Sequence, residues 1–169
     1  GSAGDDDQIF QGETTENIQE HLLWQMRLTH FSDTDIGIAM AIIDSIDEAG
    51  YLTISIEEVL TSMDDVEIDL DEVAVVLKRI QMFDHVGSGA RSAHECLLIQ
   101  LRQFAPDTPW LEEAKMLITD FCDLIGSKDY RTLMRKTRLK EEELREAMRL
   151  LQTLNPRPGT AIVTGNSEY

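Results

Sequence analysis

The chain has 169 residues, with 15 Lys and Arg against 32 Asp and Glu, and a formal net charge of −17. This length suits one medium domain or two small ones. The sequence has neither a signal peptide nor an apolar run long enough to cross a membrane, and its two cysteines suit a reducing compartment. We therefore expect a cytoplasmic protein that does not enter a membrane.

The negative charge is concentrated in the first half of the chain. Residues 1–84 hold 3 basic and 20 acidic side chains (3 − 20 = −17), whereas residues 85–169 hold 12 of each (12 − 12 = 0). An acidic half of this kind repels nucleic acid and attracts a basic partner. The acidic residues expected to dock such a partner are Glu57, Glu58, Asp64 and Asp65.

Residues 1–14 lack apolar periodicity and are predicted to be a flexible acidic arm. A first helix is predicted from about residue 15 to Leu28, with Trp24 outside its apolar stripe. A second begins after Ser32, which can cap it, and is expected to end at Gly50. The inward face predicted for this second helix consists of Ile36, Met40, Ile43 and Ile46.

Two further helices complete the first half. Ser55 and Glu58 form a capping box that opens a short helix to about Met63. After an acidic turn, a helix over residues 70–82 carries an apolar stripe into the centre of the chain. That stripe consists of Val73, Val76, Leu77, Ile80 and Phe83.

A glycine-containing corner divides the chain at this point. Gly87 and Gly89 break the helix, because glycine tolerates the backbone angles that a sharp reversal demands. A new helix starts at once, with Ser92 as its cap and Glu95 three residues on in a capping box. Its predicted buried face is Leu97, Leu98, Leu101 and Phe104.

The second half is also predicted to be helical. Thr108 is expected to cap, and Pro109 to start, a helix that runs to Gly126. Helices over residues 129–136 and 141–154 follow, joined by a short turn in the manner of a helix-turn-helix. No segment alternates as a strand does, so the predicted fold is all-α.

A weak internal repeat suggests two small helical bundles. Residues 73–84 align with residues 144–155 at a shift of 71 positions, and each copy ends at a Pro/Gly corner. We predict a first subdomain over residues 15–86 and a second over residues 87–159, which contains the helix-turn-helix-like unit. Residues 160–169 form a tail.

Several stretches together are similar to one known family. Phe83-Asp84-x-Val86-Gly87-x-Gly89-Ala90-Arg91 and the following Glu95-Cys96-Leu97-Leu98 resemble the core-binding region of the bacterial enhancer-dependent (sigma-54, nitrogen-type) sigma factors. Gly50-Tyr51-Leu52-Thr53 and Asn155-Pro156-Arg157-Pro158-Gly159 also match the family pattern, and the resemblance extends from about Ile18 to Gly159. His85 departs from it, since the family usually carries Pro there.

The resemblance implies a docking module of a transcription initiation factor whose partner is core RNA polymerase. It implies promoter DNA as a partner only within the full-length holoenzyme, with the tail leading towards a DNA-binding region beyond this chain. Candidate core-binding residues then join the acidic set from the corner: Phe83, Asp84, Val86, Gly87, Gly89, Arg91 and Glu95.

The alternative is a helix-turn-helix DNA-binding module. Its phosphate contacts would come from Lys128, Arg131, Arg135, Lys136, Arg138 and Lys140. Against this alternative, the presumed recognition helix opens with Glu141, Glu142 and Glu143, which would face phosphates. A helical spacer without a binding role is a third possibility, which the density of motif matches disfavours.

We predict no enzymatic activity, no cofactor, no metal site and no small-molecule substrate. No combination of residues suggests nucleophilic or acid–base catalysis, and Gly87-x-Gly89 alone is a weak nucleotide-binding signal. Cys96 and Cys122 lack metal-ligand spacing. The four histidines, His21, His30, His85 and His94, form no ligand pattern with them.

Overall fold

The computed structural model describes residues 17–65 and 67–160. This part of the chain is helical with two isolated bridges and no β-sheet, which confirms the all-α prediction. None of its helices is both long and apolar enough to cross a membrane. The helices are α1 (Ile18–Leu28), α2 (Asp33–Asp44), α3 (Ile56–Met63), α4 (Leu70–Gln81), α5 (Ala93–Leu101), α6 (Leu111–Gly126), α7 (Tyr130–Thr137) and α8 (Glu141–Gln152).

The chain divides into two compact units. The first runs to Arg91 and takes up the chain again from Arg157, and the second is Ser92–Pro156. Residues 87–91 and 157–159 thus belong to the first unit, although both fall in the range that the sequence assigns to the second subdomain. The predicted arm over residues 1–14 and the tail beyond residue 160 lie outside the described residues.

The first unit is built around α2, which packs against α1, α3 and α4. Its helices begin where short polar side chains cap them: Asn17 for α1, Ser32 for α2, and the capping boxes Ser55–Glu58 and Asp69–Glu72 for α3 and α4. The fully buried side chains at its centre are Leu22, Ile38, Ile42, Ile43, Val59, Val73, Val76 and Ile80.

The structure corrects two expectations for α2. Its buried face is Ile38, Ala39, Ile42 and Ile43, whereas Met40 is 52% exposed. The helix is apolar almost all round, so periodicity alone did not fix which face packs inward. It ends at Asp44 rather than near Gly50, because Thr53 and Leu52 fold back to pair with Ser45 and Ile46.

The second unit repeats this arrangement, with α6 packed against α5, α7 and α8. On α5, Cys96, Ile99 and Leu101 are buried, whereas Leu97 and Leu98 are only partly buried against the core. Besides Leu101, the buried members of this core are Leu111, Ala114, Leu117, Ile118, Leu133, Leu144, Ala147 and Leu151.

The start of α6 differs from the prediction. The helix begins at Leu111 and follows Trp110, whose φ is 68° and which supplies no side-chain cap. Thr108 does not cap it, because its hydroxyl donates to the Ala105 carbonyl at 2.6 Å within the preceding turn. The α6 helix also deviates from helical geometry at Phe121.

The segment from Arg157 to Thr160 closes against the first unit at a glycine. The Gly159 amide donates to the Ala49 carbonyl at 2.9 Å. A Cβ atom at Gly159 would lie 2.1 Å from the Glu48 carbonyl oxygen, so no larger residue fits without moving backbone. Pro158 and Gly159 are both buried.

We expect Gly159→Ala to destabilise the first unit by ~1–3 kcal/mol, since the added methyl group must displace main chain. Urea unfolding and amide hydrogen exchange measure the loss. Gly126→Ala is the matched control, because a Cβ there meets nothing within 4 Å and should leave stability unchanged or slightly raised. Equal stability of the two variants would contradict this account of Gly159.

Candidate functional site

Three of the motif stretches meet at one tight turn in the first unit. The turn is held by Asp47, whose Oδ1 accepts from the amides of Ala49 and Tyr51, both at 3.0 Å. The Gly50 amide donates to the Asp47 carbonyl at 3.0 Å, and Gly50 has a φ of 97°. An Asp side chain that bonds the following amides is a common device for tight turns.

The central corner is tied to this turn through main chain. The Gly89 amide donates to the Gly50 carbonyl at 2.7 Å, and the Leu52 amide donates to the Ala90 carbonyl at 2.9 Å. Inside the corner, the Gln81 side-chain amide donates to the buried Gly89 carbonyl at 3.3 Å. With Gly159 on its other side, the turn is thus bonded to both later motif segments.

A glutamine clamps the chain after the last helix of each unit. Gln25 on α1 accepts from the Asp84 amide at 2.6 Å and donates to the carbonyl of the same residue. Gln100 on α5 does the same to Asn155, accepting at 2.9 Å and donating at 2.6 Å. Asp84 and Asn155 also occupy equivalent positions in the 71-position repeat.

The second clamp includes a thiol. Gln100 also donates to Cys96 Sγ at 3.2 Å, and the thiol lies 3.6 Å from the Asn155 carbonyl oxygen. Burial raises the pKa of the Cys96 thiol, and the hydrogen bond from Gln100 offsets this in part. Cys96 therefore acts as a small packed residue rather than a reactive thiolate.

The corner candidates divide between surface and core. Asp84 and Arg91 are exposed, and Val86 and Glu95 are half-buried. Phe83 is half-buried against Phe31, with ring centroids 6.3 Å apart. Gly87 and Gly89 are buried, and the amides of both are bonded to main-chain carbonyls.

The acidic candidates all lie at the surface, around the two ends of α3. Glu57 and Glu58 are exposed in its first turn, and the Glu58 carboxylate also accepts from the Ser55 amide at 3.1 Å. Asp64 ends the helix with a φ of 51°, and Asp65 accepts from the Glu67 amide at 2.9 Å.

A second acidic surface was missed from the sequence. A shallow depression with a volume of about 480 Å³ lies where the first turns of α2 and α4 come together. Val75 on its edge is 58% exposed. The caps Ser32 and Asp69 signalled each helix start, but nothing in the sequence placed the two starts side by side. The acidic side chains that line the depression are Asp35, Asp69, Asp71 and Glu72.

The six basic candidates are all exposed, on α7 or the turns beside it. Asp129, which caps α7, has a lowered pKa because the Thr132 hydroxyl and amide both donate to its carboxylate. On α8, Arg145 pairs with Glu141 at 3.1 Å and with Glu142 at 3.0 Å. The first turn of α8 thus carries three carboxylates, and Arg145 partly neutralises two of them.

One group of potential metal ligands is gathered in the described part of the chain. It consists of His21, Asp84 and His85, which lie beside the first glutamine clamp.

The described part of the chain is an all-helical module with acidic and basic residues at its surface. The family model of the sigma-54 factor core binding domain matches residues 10–169. The chain therefore belongs to the sigma-54 core-binding-domain family, as the sequence motifs predicted.

Full-length relatives support the same family. The RNA polymerase sigma-54 factors of Salmonella typhimurium and Escherichia coli K12 are 57% and 56% identical to this chain over 173 residues, covering 100% of it and 36% of each relative. That of Shewanella violacea is 58% identical over 169 residues, covering 100% of the chain and 34% of the relative. The chain thus spans about a third of the length of these relatives.

We expect Gln25→Ala and Gln100→Ala each to destabilise its own unit by ~1–3 kcal/mol, because each leaves main-chain groups without their partners. Amide hydrogen exchange, which resolves the two units, is the measurement. Gln152→Ala, at an exposed position on α8, is the control and should change little. Unchanged protection around residues 84 and 155 in the two clamp variants would show that the clamps do not stabilise the fold.

Proposed function

We propose that this chain docks a sigma-54-type transcription initiation factor onto core RNA polymerase in the cytoplasm. The observation that carries the proposal is the match of residues 10–169 to the sigma-54 core binding domain. The module acts by binding and performs no catalytic step.

The acidic surface of the first unit supplies the long-range attraction. Glu57, Glu58, Asp64 and Asp65 crowd around α3, and the depression between the starts of α2 and α4 adds four more acidic side chains. Complementary charge raises the rate of encounter with a basic surface and fixes orientation. Exposed Val75 at the depression offers apolar contact once the partner has arrived.

The corner contributes in two ways. Exposed Asp84 and Arg91 and half-buried Glu95 supply polar contacts to the partner, and half-buried Val86 adds an apolar one. Phe83, Gly87 and Gly89 contribute through the fold, because they are packed or bonded to main chain and hold the exposed residues in place. A preformed surface of this kind loses little entropy on binding.

The basic residues on and around α7 are proposed to meet promoter DNA only within the holoenzyme. Their exposure suits non-specific phosphate contacts. The carboxylates at the start of α8 oppose insertion of that helix into a groove as an independent reader.

We expect removal of four charges around α3 to slow association with core polymerase about tenfold and to weaken its salt dependence. The variant combines Glu57→Gln, Glu58→Gln, Asp64→Asn and Asp65→Asn, which keep the local hydrogen-bonding groups. Its control removes four charges from the second unit through Asp107→Asn, Glu113→Gln, Asp120→Asn and Asp123→Asn. Stopped-flow or surface-based kinetics at two salt concentrations measure both. Equal slowing by the control would assign the effect to net charge rather than to this surface.

The chain itself should bind purified core polymerase tightly and bind arbitrary duplex DNA negligibly at about 150 mM salt. Anisotropy titrations with both ligands test this. Binding to DNA but not to core would overturn the docking proposal. It would move the function to α7 and the turns beside it, which carry Lys128 and Lys140.

A further inference from the structure

We propose that His21, Asp84 and His85 form a binding site for a divalent transition-metal ion of the Zn²⁺ class. Their ligand atoms all lie within 4.8 Å of one another. His21 Nε2 is 3.2 Å from Asp84 Oδ2, and His85 Nδ1 is 4.0 Å from Asp84 Oδ1. Zinc bonds of about 2.0–2.1 Å in tetrahedral geometry place neighbouring ligand atoms roughly 3.3 Å apart. The first pair already has this spacing, whereas His85 Nδ1 faces the other carboxylate oxygen and must move closer to complete the site.

The scaffold holds two of the ligands in place. His21 and Gln25 lie one helical turn apart on α1, and both reach Asp84. Gln25 fixes the Asp84 main chain, which leaves its carboxylate turned towards His21. Such outer contacts orient ligands before the metal arrives. His85 follows directly in the chain, and its ring centroid is 5.4 Å from that of His21.

The donor set selects the kind of ion. Two imidazole nitrogens and a carboxylate suit Zn²⁺, Cu²⁺ or Ni²⁺, whereas Mg²⁺ and Ca²⁺ prefer oxygen ligands alone. The side chains of His21 and His85 are 18% and 36% exposed, and that of Asp84 is 71% exposed. An ion can therefore enter from solvent, and three protein ligands leave a coordination position for water. The acidic excess of residues 1–84 favours the approach of cations.

The neighbouring Trp24 provides a spectroscopic reporter. Its ring stacks on His21 with the centroids 6.5 Å apart. We expect one Zn²⁺ per chain in a calorimetric titration, with an affinity in the micromolar range. Cu²⁺ should quench part of the tryptophan fluorescence at the same stoichiometry, and excess Zn²⁺ should reverse the quenching. The Trp24→Phe variant should lack the component of the fluorescence that Cu²⁺ quenches.

Three variants test the ligands one at a time. His21→Asn, Asp84→Asn and His85→Asn should each weaken Zn²⁺ binding at least about tenfold. Asp84→Asn keeps the glutamine clamp, because that clamp bonds main chain. His30→Asn and His94→Asn are matched controls at histidines outside the group and should bind as the parent does. Circular dichroism verifies that every variant is folded.

The proposal is overturned if the parent shows no saturable Zn²⁺ binding, or if the three ligand variants bind with parent affinity. It is equally overturned if His30→Asn weakens binding as much as His85→Asn, or if a large excess of Mg²⁺ displaces Zn²⁺. None of these titrations contains polymerase, so their outcome is separate from that of the docking proposal.

Discussion

The first unit depends on main-chain packing at the turn over residues 47–52. Carbonyls of this turn accept from Gly89 and Gly159, two glycines that are distant in sequence. At Gly159 a side chain would collide with the Glu48 carbonyl oxygen, and at Gly50 a Cβ would lie 2.9 Å from the Gly159 amide. Chains can approach this closely only where side chains are absent. Gly50 and Gly159 therefore share one physical cause, which is a crossing of backbones. Gly89 differs, because its φ of 88° favours glycine while an added Cβ would meet only side chains, the nearest at 3.5 Å.

The glutamine clamps impose a second constraint, and it recurs. Gln25 and Gln100 each offer an amide that bonds both polar groups of one peptide residue, as a neighbouring strand would. Each clamp fixes the exit of the last long helix to the first helix of its unit. The order of helices and their packing around α2 and α6 repeat as well. This shared geometry is what the weak repeat in the sequence reflects.

The sequence predicted the helices well, because caps and apolar stripes are local signals. Ser32, Ser55 and Ser92 cap the helices that they were expected to cap. The predictions were wrong where contacts outside the local sequence determine which way a side chain faces or what it bonds. Met40 faces outward, which the sequence did not reveal because α2 is apolar on most sides. The Thr108 hydroxyl bonds within the preceding turn instead of capping α6. Likewise, His21 and Asp84 are 63 positions apart, so no spacing rule could pair them.

A division of roles follows from where each motif residue lies. Gly87 and Gly89 have φ angles of 97° and 88°, which side chains rarely tolerate, so the fold favours glycine at both positions whatever the chain binds. In the docking proposal, recognition falls to exposed side chains that this framework holds: Asp84 and Arg91 at the corner, and the carboxylates around α3 and beside α4. Because Asp84 has its main chain clamped and its carboxylate exposed, it belongs to both groups. The clamp on its main chain therefore fixes the position of an exposed carboxylate. A metal ion bound there with His21 and His85 would change the charge of that surface.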